Sequence, residues 1–257
     1  VWRYWQAMLL EQQGEAEAAE AILVALAGER GYYSFLAADR LGQPYAFKHQ
    51  SLVLESAATE PLRQLPAVQR IGELRFHEEE NLAHSEWFKI LEDTDDSGRH
   101  QQLAQLAADE GWYRMAIDAA NRAKAWDALD LRFPMPYQDT FERHASARQV
   151  PSTELMAIAR RESAFFPQAR SPVGARGLMQ IMPATGKQVA SSLGRRHSNS
   201  DLYEVDHNVL LGSAYYRQLL DRFGRRFQLE HRIGCKRQKQ AEKQSLNQRF
   251  NSLTMSR

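Results

Sequence analysis

The sequence predicts an all-α protein in which an array of short helices is followed by a second helical domain. From residue 2 to residue 134, apolar residues recur at three- and four-residue intervals in short segments that are separated by glycine-containing turns. Alternating runs of β-branched residues, which would favour strands, are nearly absent there. The segment RFPMPY, residues 132–137, then breaks the helical pattern, so we place a domain boundary at residue 136.

Three short helices are predicted at the start of the chain. Each has one apolar stripe and ends near a glycine, at Gly14, Gly28 and Gly42. Helices of this length are not stable alone and must stack on their neighbours, so we expect a superhelical or right-angled array. The stripes consist of Trp2, Trp5, Leu9 and Leu10, then Ala19, Ile22, Leu23 and Leu26, and then Phe35 and Leu36.

The composition argues against several classes of protein. There are 33 Lys and Arg against 32 Asp and Glu, and the net charge of +1 gives no overall field that would select nucleic acid or an anionic membrane. No apolar run is long enough to predict a membrane span. The single cysteine, Cys235, cannot form an internal disulfide. The chain begins at Val1, already inside a helical pattern, so we expect a fragment or processed form without its targeting signal.

No metal site and no cofactor are predicted. The eight histidines are scattered, without the four-residue spacing that places two ligands on one helix face. The acidic segment EDTDDSGR, residues 92–99, lacks the glycine and the terminal glutamate at the offsets of a calcium loop.

One carboxylate of the second domain occupies an apolar helical stripe. Counted from Leu155, the positions of Ile158, Ala159, Glu162 and Phe166 share one helix face, and all except Glu162 are apolar. We therefore expect Glu162 to lie on the buried face. Burial disfavours the charged form of a carboxylate, which is how a glutamic acid becomes able to donate a proton near neutral pH.

The bounds of this helix follow from capping signals. Ser152 is predicted as its N-cap, with Glu154 in the first turn, and Pro167 predicts its end soon after Phe166. Glu162 then lies near the helix end, where an ion pair with an arginine is the structural alternative to a chemical role. The arginines considered are Arg160, Arg161 and Arg170.

A loop and a glycine-led motif follow this helix. Turn signals mark residues 168–176 as a loop. The segment GLMQIMP, residues 177–183, combines a close-approach glycine, an apolar floor, one amide and a proline suited to the first turn of a helix that runs to Leu193. Amide groups above an apolar surface suit a sugar cleft. The structural alternative places two of three apolar residues in the core: Met179, Ile181 and Met182.

No second catalytic carboxylate is near in sequence. A retaining glycosidase needs one roughly 5 Å from the first, and an inverting one needs it roughly 6.5–9.5 Å away. Between Glu162 and Gln180 there is no other Asp or Glu, and Asp206 is expected to cap a helix over residues 207–223. This absence fits the substrate-assisted exceptions to the two-carboxylate scheme.

The segment ARRESAFFPQARSPVGARGLMQIMPATG resembles two signature blocks of the lytic transglycosylases of the soluble, lysozyme-like type. The Glu-Ser block corresponds to Glu162 and Ser163, and the Gly-Leu-Met-Gln block to residues 177–180, with the match continuing to Pro183. Upstream, residues 2–138 are similar to the superhelix and linker of the large soluble murein transglycosylases.

This resemblance covers residues 1–224 and implies three domains. Residues 1–60 would be the end of the superhelical domain, residues 61–136 a helical linker domain, and residues 137–224 a lysozyme-like α-domain.

The resemblance also implies a periplasmic peptidoglycan lytic transglycosylase that acts on glycan strands without a cofactor. Glu162 would protonate the bond between N-acetylmuramic acid and N-acetylglucosamine, and would then deprotonate the muramoyl 6-hydroxyl to close a 1,6-anhydro ring. Ser171, Gln180 and Met182 would face the glycan, and Ser163 would orient Glu162 or support the helix end. No particular partner protein is implied.

The family's next block, Ala-Tyr-Asn-Ala-Gly, is missing after Gly224. Residues 225–257 carry nine Lys or Arg against two acidic residues, and this composition predicts a disordered basic tail. The lysozyme-like domain is therefore expected to lack its C-terminal part. Two alternatives stay open: a hydrolytic, lysozyme-like muramidase, and a non-catalytic protein that binds peptidoglycan or acts as a scaffold.

Overall fold

The computed structural model describes residues 1–52, 54 and 56–224, and the predicted basic tail at 225–257 lies outside this range. The described residues also contain a 3-10 turn, Asp201–Tyr203, and a π-helical turn, Leu220–Gly224. The α-helices are α1 (Trp2–Gln13), α2 (Ala16–Ala27), α3 (Tyr32–Leu41), α4 (Ser56–Arg63), α5 (Pro66–Phe76), α6 (Glu80–Glu92), α7 (Ser97–Asp109), α8 (Tyr113–Arg122), α9 (Leu129–Arg132), α10 (Gln138–Arg148), α11 (Ser152–Ser163), α12 (Pro183–Ser192) and α13 (Val205–Leu219).

The predicted all-α class is confirmed. Within the residues that the structure describes, β-type pairing is limited to two isolated bridges, from Arg176 to Arg170 and from Arg176 to Ile181. These bridges fold the loop between α11 and α12 back on itself. None of the helices in the described ranges is long and apolar enough to cross a membrane.

The chain forms two compact units that alternate along the sequence. The first contains Val1–Glu73, Ala83–Glu110 and Met115–Pro134. The second contains Leu74–Leu82, Gly111–Arg114 and the described part of Met135–Arg257, and it holds every predicted site residue. The domain bounds expected at residues 60 and 136 stay predictions.

In the first unit, α1 packs on α2 and α2 on α3. The stripe predicted for α1 is wrong, because Trp2 is 85% exposed and Trp5 is 56% exposed. Tyr4 and Ala7 form the buried side of α1 instead, and the small alanine lets the neighbouring helices approach closely. The core of the three helices consists of Tyr4, Ala7, Ala19, Leu23, Leu26, Ala27, Ala37 and Ala38.

Buried polar atoms in the rest of the first unit are hydrogen-bonded. Trp87 in α6 is fully buried, and its indole N–H donates to the carbonyl of Met115 in α8 at 3.1 Å. The ring of His100 in α7 lies 3.0 Å from the carbonyl of Leu91. These bonds satisfy groups that would otherwise be costly to bury.

In the second unit, α10 packs against α11 and α13, and α12 packs against α13. Phe141 in α10, Leu155 in α11 and Val209 in α13 are fully buried. Leu178, from the loop between α11 and α12, is also fully buried. This loop is therefore anchored in the core of the unit and does not lie over its surface.

The predicted bounds of α11 are only partly confirmed. The helix begins at Ser152, but Pro151 occupies the N-cap position that was predicted for Ser152. Glu154 lies in the first turn as expected. The helix ends at Ser163, earlier than predicted, because Ala164 adopts a left-handed conformation with φ of 51°.

The expected cap of α13 is wrong. The helix begins at Val205 with Glu204 as its N-cap residue, so Asp206 lies inside the first turn. The α-helix ends at Leu219 and continues directly as the π-helical turn Leu220–Gly224, so the helical segment reaches the predicted end at residue 223. By contrast, Pro183 begins α12 as predicted.

Candidate active site

Glu162 is exposed, so its predicted burial is wrong. The buried residues of α11 are Leu155, Met156, Ala159 and Ser163. At 3.6 residues per turn, the centre of this buried face lies between Leu155 and Met156, and Glu162 falls at its border. The predicted stripe and the observed buried face differ by a fraction of a helical turn. This difference is enough to leave Glu162, at the border of the buried face, exposed to solvent.

The structural alternative for Glu162 also finds no support. None of the ion pairs formed within residues 1–52, 54 and 56–224 involves Glu162. Its carboxylate is therefore not neutralised by an arginine in the described part of the chain.

A strained turn follows Glu162 and fixes the end of α11. Ala164 and Phe165 both have positive φ, at 51° and 62°, a conformation that costs residues other than glycine about 1 kcal/mol or more each. Phe165 is buried and meets Phe141 edge to face, with 6.4 Å between ring centres. Burial of this large ring offsets the strain and holds the last turn of α11 in place.

Ser163 joins the end of α11 to the Gly-Leu-Met-Gln motif. Its hydroxyl donates to the carbonyl of Leu178 at 2.8 Å and lies 3.2 Å from the carbonyl of Ala159. Ser163 is buried, so its hydroxyl is directed into the protein. Of its two expected roles, this contact corresponds to support of the helix end.

Asn208 in α13 holds the motif from the other side. This side chain is fully buried, and its amide oxygen accepts from the N–H of Met179 at 2.8 Å. Its amide nitrogen donates to the carbonyls of Arg176 at 3.0 Å and Leu202 at 2.7 Å. Asn208 was missed in the sequence. The available signal was a polar amide three and four residues before Leu211 and Gly212, on a helix face that is otherwise apolar or small.

Two glycines allow this close packing. Gly177 has a φ of 75°, and a Cβ at this position would lie 2.0 Å from the carbonyl oxygen of Leu202 and 2.2 Å from Nδ2 of Asn208. A Cβ at Gly212 would lie 2.3 Å from the sulfur of Met179. Only glycine fits at either position without displacement of its neighbours.

The polar residues expected to face the glycan are held by local hydrogen bonds. Gln180 has a φ of 47°, and its amide nitrogen donates to the carbonyls of Gly177 at 2.9 Å and Ala169 at 3.2 Å. The hydroxyl of Ser171 accepts from the N–H of Ala175 at 2.9 Å. Both side chains therefore stabilise the loop between α11 and α12.

Met182 is the exposed apolar residue of the motif. It is 41% exposed, whereas Met179 and Ile181 are buried. The prediction that two of these three residues belong to the core is confirmed. Met182 is the N-cap residue of α12, so the start of this helix sets the backbone position from which its side chain reaches the surface of the unit.

Among the later acidic residues, Asp206 has structural partners. Asp206 pairs with Arg143 and with His144, the latter at 2.8 Å. Burial raises the pKa of Asp206, but the hydrogen bonds from His144 and Arg143 outweigh it and lower the pKa overall. These bonds explain why Asp206 does not cap α13.

Two histidines and an aspartate form an unpredicted cluster. The ligand atoms of His197, Asp201 and His207 all lie within 4.8 Å of one another. Burial and then the neighbouring His207 lower the pKa of His197, while hydrogen bonds from the side chain and backbone of Ser198 lower the pKa of Asp201. Sequence spacing missed this group because His197 lies in a loop and His207 in a helix.

An open cavity of about 560 Å³ lies beside the turn that follows α11. Its lining carries four carboxylates, and Glu162 is not among the lining residues. The lining consists of Glu78, Glu80, Phe166, Pro167, Gln168, Tyr203, Glu204, Val205 and Asp206.

Comparison with known proteins identifies both parts of the chain. Residues 139–246 match the family described as Transglycosylase SLT domain, and residues 61–129 match the Soluble lytic murein transglycosylase L domain. The soluble lytic murein transglycosylase of Escherichia coli K12 is 37% identical over 227 residues, which cover 87% of this chain and 34% of that protein. The chain belongs to the soluble lytic murein transglycosylase family.

Solved structures of this family share the fold. The 70 kDa soluble lytic transglycosylase of E. coli matches with a TM-score of 0.80 at 36% identity. The lytic transglycosylase Slt of Pseudomonas aeruginosa, solved as an inactive Glu-to-Gln mutant, matches with a TM-score of 0.79 at 38% identity. Each match covers 87% of this chain and 36% of the other, so the chain spans about a third of the length of its relatives in the family.

The family match corrects one boundary. It runs to residue 246, whereas the motifs placed the end of the resemblance at Gly224. Residues 225–246 lie outside the part of the chain that the structure describes.

Proposed function

We propose that this protein is a peptidoglycan lytic transglycosylase with Glu162 as its only acid and base. The observation that carries the proposal is the hydrogen bond from Ser163 to the carbonyl of Leu178, 2.8 Å long. It joins the helix end that presents Glu162 to the loop that carries Gln180. A carboxylate and an amide are thereby held on one rigid frame, as a sugar site requires.

The proposed reaction uses the two protonation states of Glu162 in turn. The carboxylic acid donates its proton to the glycosidic oxygen between N-acetylmuramic acid and N-acetylglucosamine, while the 2-acetamido oxygen of the substrate stabilises C1. The resulting carboxylate takes the proton of the muramoyl 6-hydroxyl, which attacks C1 and closes the 1,6-anhydro ring. Glu162 ends the cycle protonated, so no cofactor and no second carboxylate are required.

The exposure of Glu162 gives the glycan a further role. Glu162 is exposed in the protein, so we propose that the bound sugar shields its carboxylate from water. Removal of water around a carboxyl group favours its protonated form, and it also limits attack on C1 by water. In this proposal the bound substrate supplies the burial of Glu162 that the sequence analysis expected from the protein core.

The other site residues act as contacts and supports in this proposal. Met182 offers an exposed apolar surface for a sugar ring face. Gln180 and Ser171 shape the loop and present polar groups to hydroxyl and N-acetyl substituents. Ser163 keeps the loop in register with Glu162 and is a positioning residue.

The proposed substrate, the glycan strand of peptidoglycan, supports a periplasmic location for the protein. Glycan strands are the only partner that this activity needs, and the chain is about a third as long as the soluble lytic murein transglycosylase of E. coli. The proposal therefore requires a test on this chain itself.

The test is digestion of purified peptidoglycan by the 257-residue chain, beside Glu162→Gln and Glu154→Gln. We expect wild type to release muropeptides that are lighter by one water than reducing-end products, as mass spectrometry can distinguish. Glu162→Gln should lower the rate at least about 100-fold, because it removes the proton donor and acceptor. Glu154→Gln, a matched change in the same helix, should stay near the wild-type rate.

Other outcomes decide against the proposal. Reducing-end products that disappear in Glu162→Gln would assign hydrolysis. Binding to peptidoglycan with no released product from either protein would assign a non-catalytic role.

A further inference from the structure

We propose that His197, Asp201 and His207 form a binding site for a divalent ion of the zinc class, which pins the Asp201–Tyr203 turn to α13. His197 lies in the loop after α12, Asp201 in the 3-10 turn, and His207 in the first turns of α13. All three side chains are partly buried, and their ligand atoms lie within 4.8 Å of one another. The site is independent of the proposed catalysis.

The two imidazole rings point at each other end to end. Nδ1 of His197 lies 3.0 Å from Nε2 of His207, and the rings are nearly parallel at 8°. The ring centres are 5.3 Å apart, which equals the N···N distance plus about one ring radius at each end. The rings therefore lie in one plane and share a single in-plane N–H···N hydrogen bond.

This geometry brings two nitrogen lone pairs close to the spacing that a metal needs. Nitrogens that lie 2.0–2.1 Å from a tetrahedral zinc ion are about 3.4 Å apart, a few tenths of an ångström more than the present 3.0 Å. The two rings now point straight at each other, so they must also turn by about 70° relative to each other before both lone pairs meet at one tetrahedral ion. Most of this rotation falls to His197, which lies in the loop after α12. The ion then takes the place of the shared proton.

Asp201 supplies a third ligand that is already oriented. One of its carboxylate oxygens accepts from the N–H of Ser198 at 2.7 Å, and the other accepts from the hydroxyl of Ser198 at 2.5 Å. A carboxylate has about four lone-pair positions, so it can keep these bonds and still coordinate an ion. Partners of this kind orient metal ligands in known sites.

One feature limits the affinity of the site. Nε2 of His197 is buried without a hydrogen-bond partner among the described residues, and this ring lies close to Gly186 of α12. When Nδ1 of His197 coordinates an ion, the remaining proton must sit on Nε2, where no acceptor meets it. We therefore expect an affinity below that of a closed structural site with four protein ligands.

The site is adjacent to the residues that hold the Gly-Leu-Met-Gln motif. His207 precedes Asn208, and Asp201 precedes Leu202, whose carbonyl accepts from Asn208 at 2.7 Å. An ion on the three ligands would therefore brace both ends of this hydrogen bond. The expected effect is a higher melting temperature of the ion-bound protein.

The test is titration of the full chain with Zn²⁺ by calorimetry, beside His197→Gln, His207→Gln and Asp201→Asn. Wild type should bind one ion at this site, and each variant should bind it at least ten-fold more weakly. His77→Gln changes an exposed histidine elsewhere and should bind like wild type. Two imidazoles suit zinc, cobalt and nickel, so Ca²⁺ and Mg²⁺ should bind far more weakly.

Two controls show that a loss of binding comes neither from unfolding of a variant nor from zinc binding to Cys235. The circular dichroism and metal-free melting temperature of each variant should match wild type, and Zn²⁺ should raise the melting temperature of wild type and of the two control variants, His77→Gln and Cys235→Ser, more than that of the three site variants. Cys235→Ser should leave binding unchanged. Binding that persists in all three site variants, or that disappears in Cys235→Ser, would overturn the proposal, as would the absence of binding to wild type.

Discussion

At the residue scale, Asn208 joins parts of the second unit that are distant in sequence. Its one side chain meets an N–H and two carbonyl groups of the loop and the 3-10 turn, and all of these bonds are buried or partly buried. A side chain of the same size without polar atoms would leave the N–H of Met179 and the carbonyl of Leu202 without the partner that Asn208 supplies, whereas the carbonyl of Arg176 would keep its hydrogen bond from the N–H of Ile181. Asn208 therefore holds the motif in place by forming hydrogen bonds with its buried backbone groups.

Asn208→Leu should lower the free energy of unfolding by about 3 kcal/mol, because it leaves buried backbone groups unpaired. Urea denaturation would measure this change. Asn199→Leu serves as a control, since the side chain of Asn199 is exposed. Equal effects in the two variants would contradict the role assigned to Asn208.

Gly177→Ala should destabilise the protein by at least about 4 kcal/mol. The new Cβ would fall 2.0 Å from a backbone oxygen, which cannot move as a side chain can. Gly174→Ala is the matched control: its φ is also positive, at 95°, but a Cβ there meets nothing within 4 Å. The control should cost only the backbone strain, about 1–2 kcal/mol. Thermal or urea unfolding that ranks the two variants in the opposite order would refute this reasoning.

The sequence predicted which residues belong to the candidate site better than it predicted their burial and contacts. The sequence singled out Glu162 from its place in an apolar stripe, and it placed two of three motif side chains in the core. It misjudged the burial of Glu162, because helical periodicity locates a face but leaves a border residue undecided. It missed Asn208 and the His197–His207 pair, because these contacts depend on tertiary packing between a loop and α13.

At the element scale, α11 is held at both ends. Ser163 ties its C-terminal end to the motif, and near its N-terminal end Glu154 accepts from the hydroxyl of Tyr216 in α13 at 2.7 Å. Both contacts join α11 to segments that also surround Leu178. The contact at Ser163 holds the end of α11 that carries Glu162, whereas the contact at Glu154 lies at the opposite end, and Glu154→Gln keeps an acceptor oxygen for Tyr216.

Tyr216→Phe should lower the free energy of unfolding by about 0.5–1 kcal/mol at neutral pH, because the contact is partly exposed. The hydrogen bond to Glu154, together with burial, raises the pKa of Tyr216 above its usual value near 10. A raised pKa in the folded state means that this stabilisation is complete below about pH 10 and is lost as the pH rises through the raised value.

Urea unfolding at neutral pH and at increasing pH beyond about 10 would therefore show a difference between wild type and Tyr216→Phe that shrinks with pH. Tyr215→Phe provides the control, because Tyr215 is 40% exposed and lies one residue away in the same helix. A difference that grows with pH would have the wrong sign for this hydrogen bond.

Helix positions were largely predictable, but their ends were less so. Pro183 marked the first residue of α12, and Pro167 suggested that α11 ends near Phe166. The actual end is at Ser163, because Ala164 and Phe165 adopt a left-handed turn there. Burial of the Phe165 ring offsets the conformational free energy that this turn costs. No local sequence rule contains that tertiary compensation.

At the scale of the whole molecule, the all-α class followed from periodicity and glycine spacing. The arrangement into two units was not predicted from the sequence. Each unit consists of several segments that are separated along the chain, and a single boundary such as residue 136 cannot describe such a division. The buried face of α1 was also predicted wrongly. An apolar stripe on one helix does not reveal on which side the neighbouring helices pack.

The balanced charge of the whole chain leads to a prediction about binding. With a net charge of +1, long-range attraction contributes little to capture of a glycan strand. Binding of Glu162→Gln to insoluble peptidoglycan, measured by sedimentation, should therefore change less than about two-fold between roughly 50 and 300 mM salt. A steep loss of binding with salt would instead indicate that a charged segment dominates.

The two methionines of the motif differ in their exposure to oxidants. Met179 is buried with its sulfur packed against Gly212, whereas Met182 is open to solvent. Peroxide should therefore convert Met182 to its sulfoxide first and make an apolar sugar-facing surface polar. Oxidative damage would then weaken recognition of the glycan while the fold, which depends on Met179, stays intact.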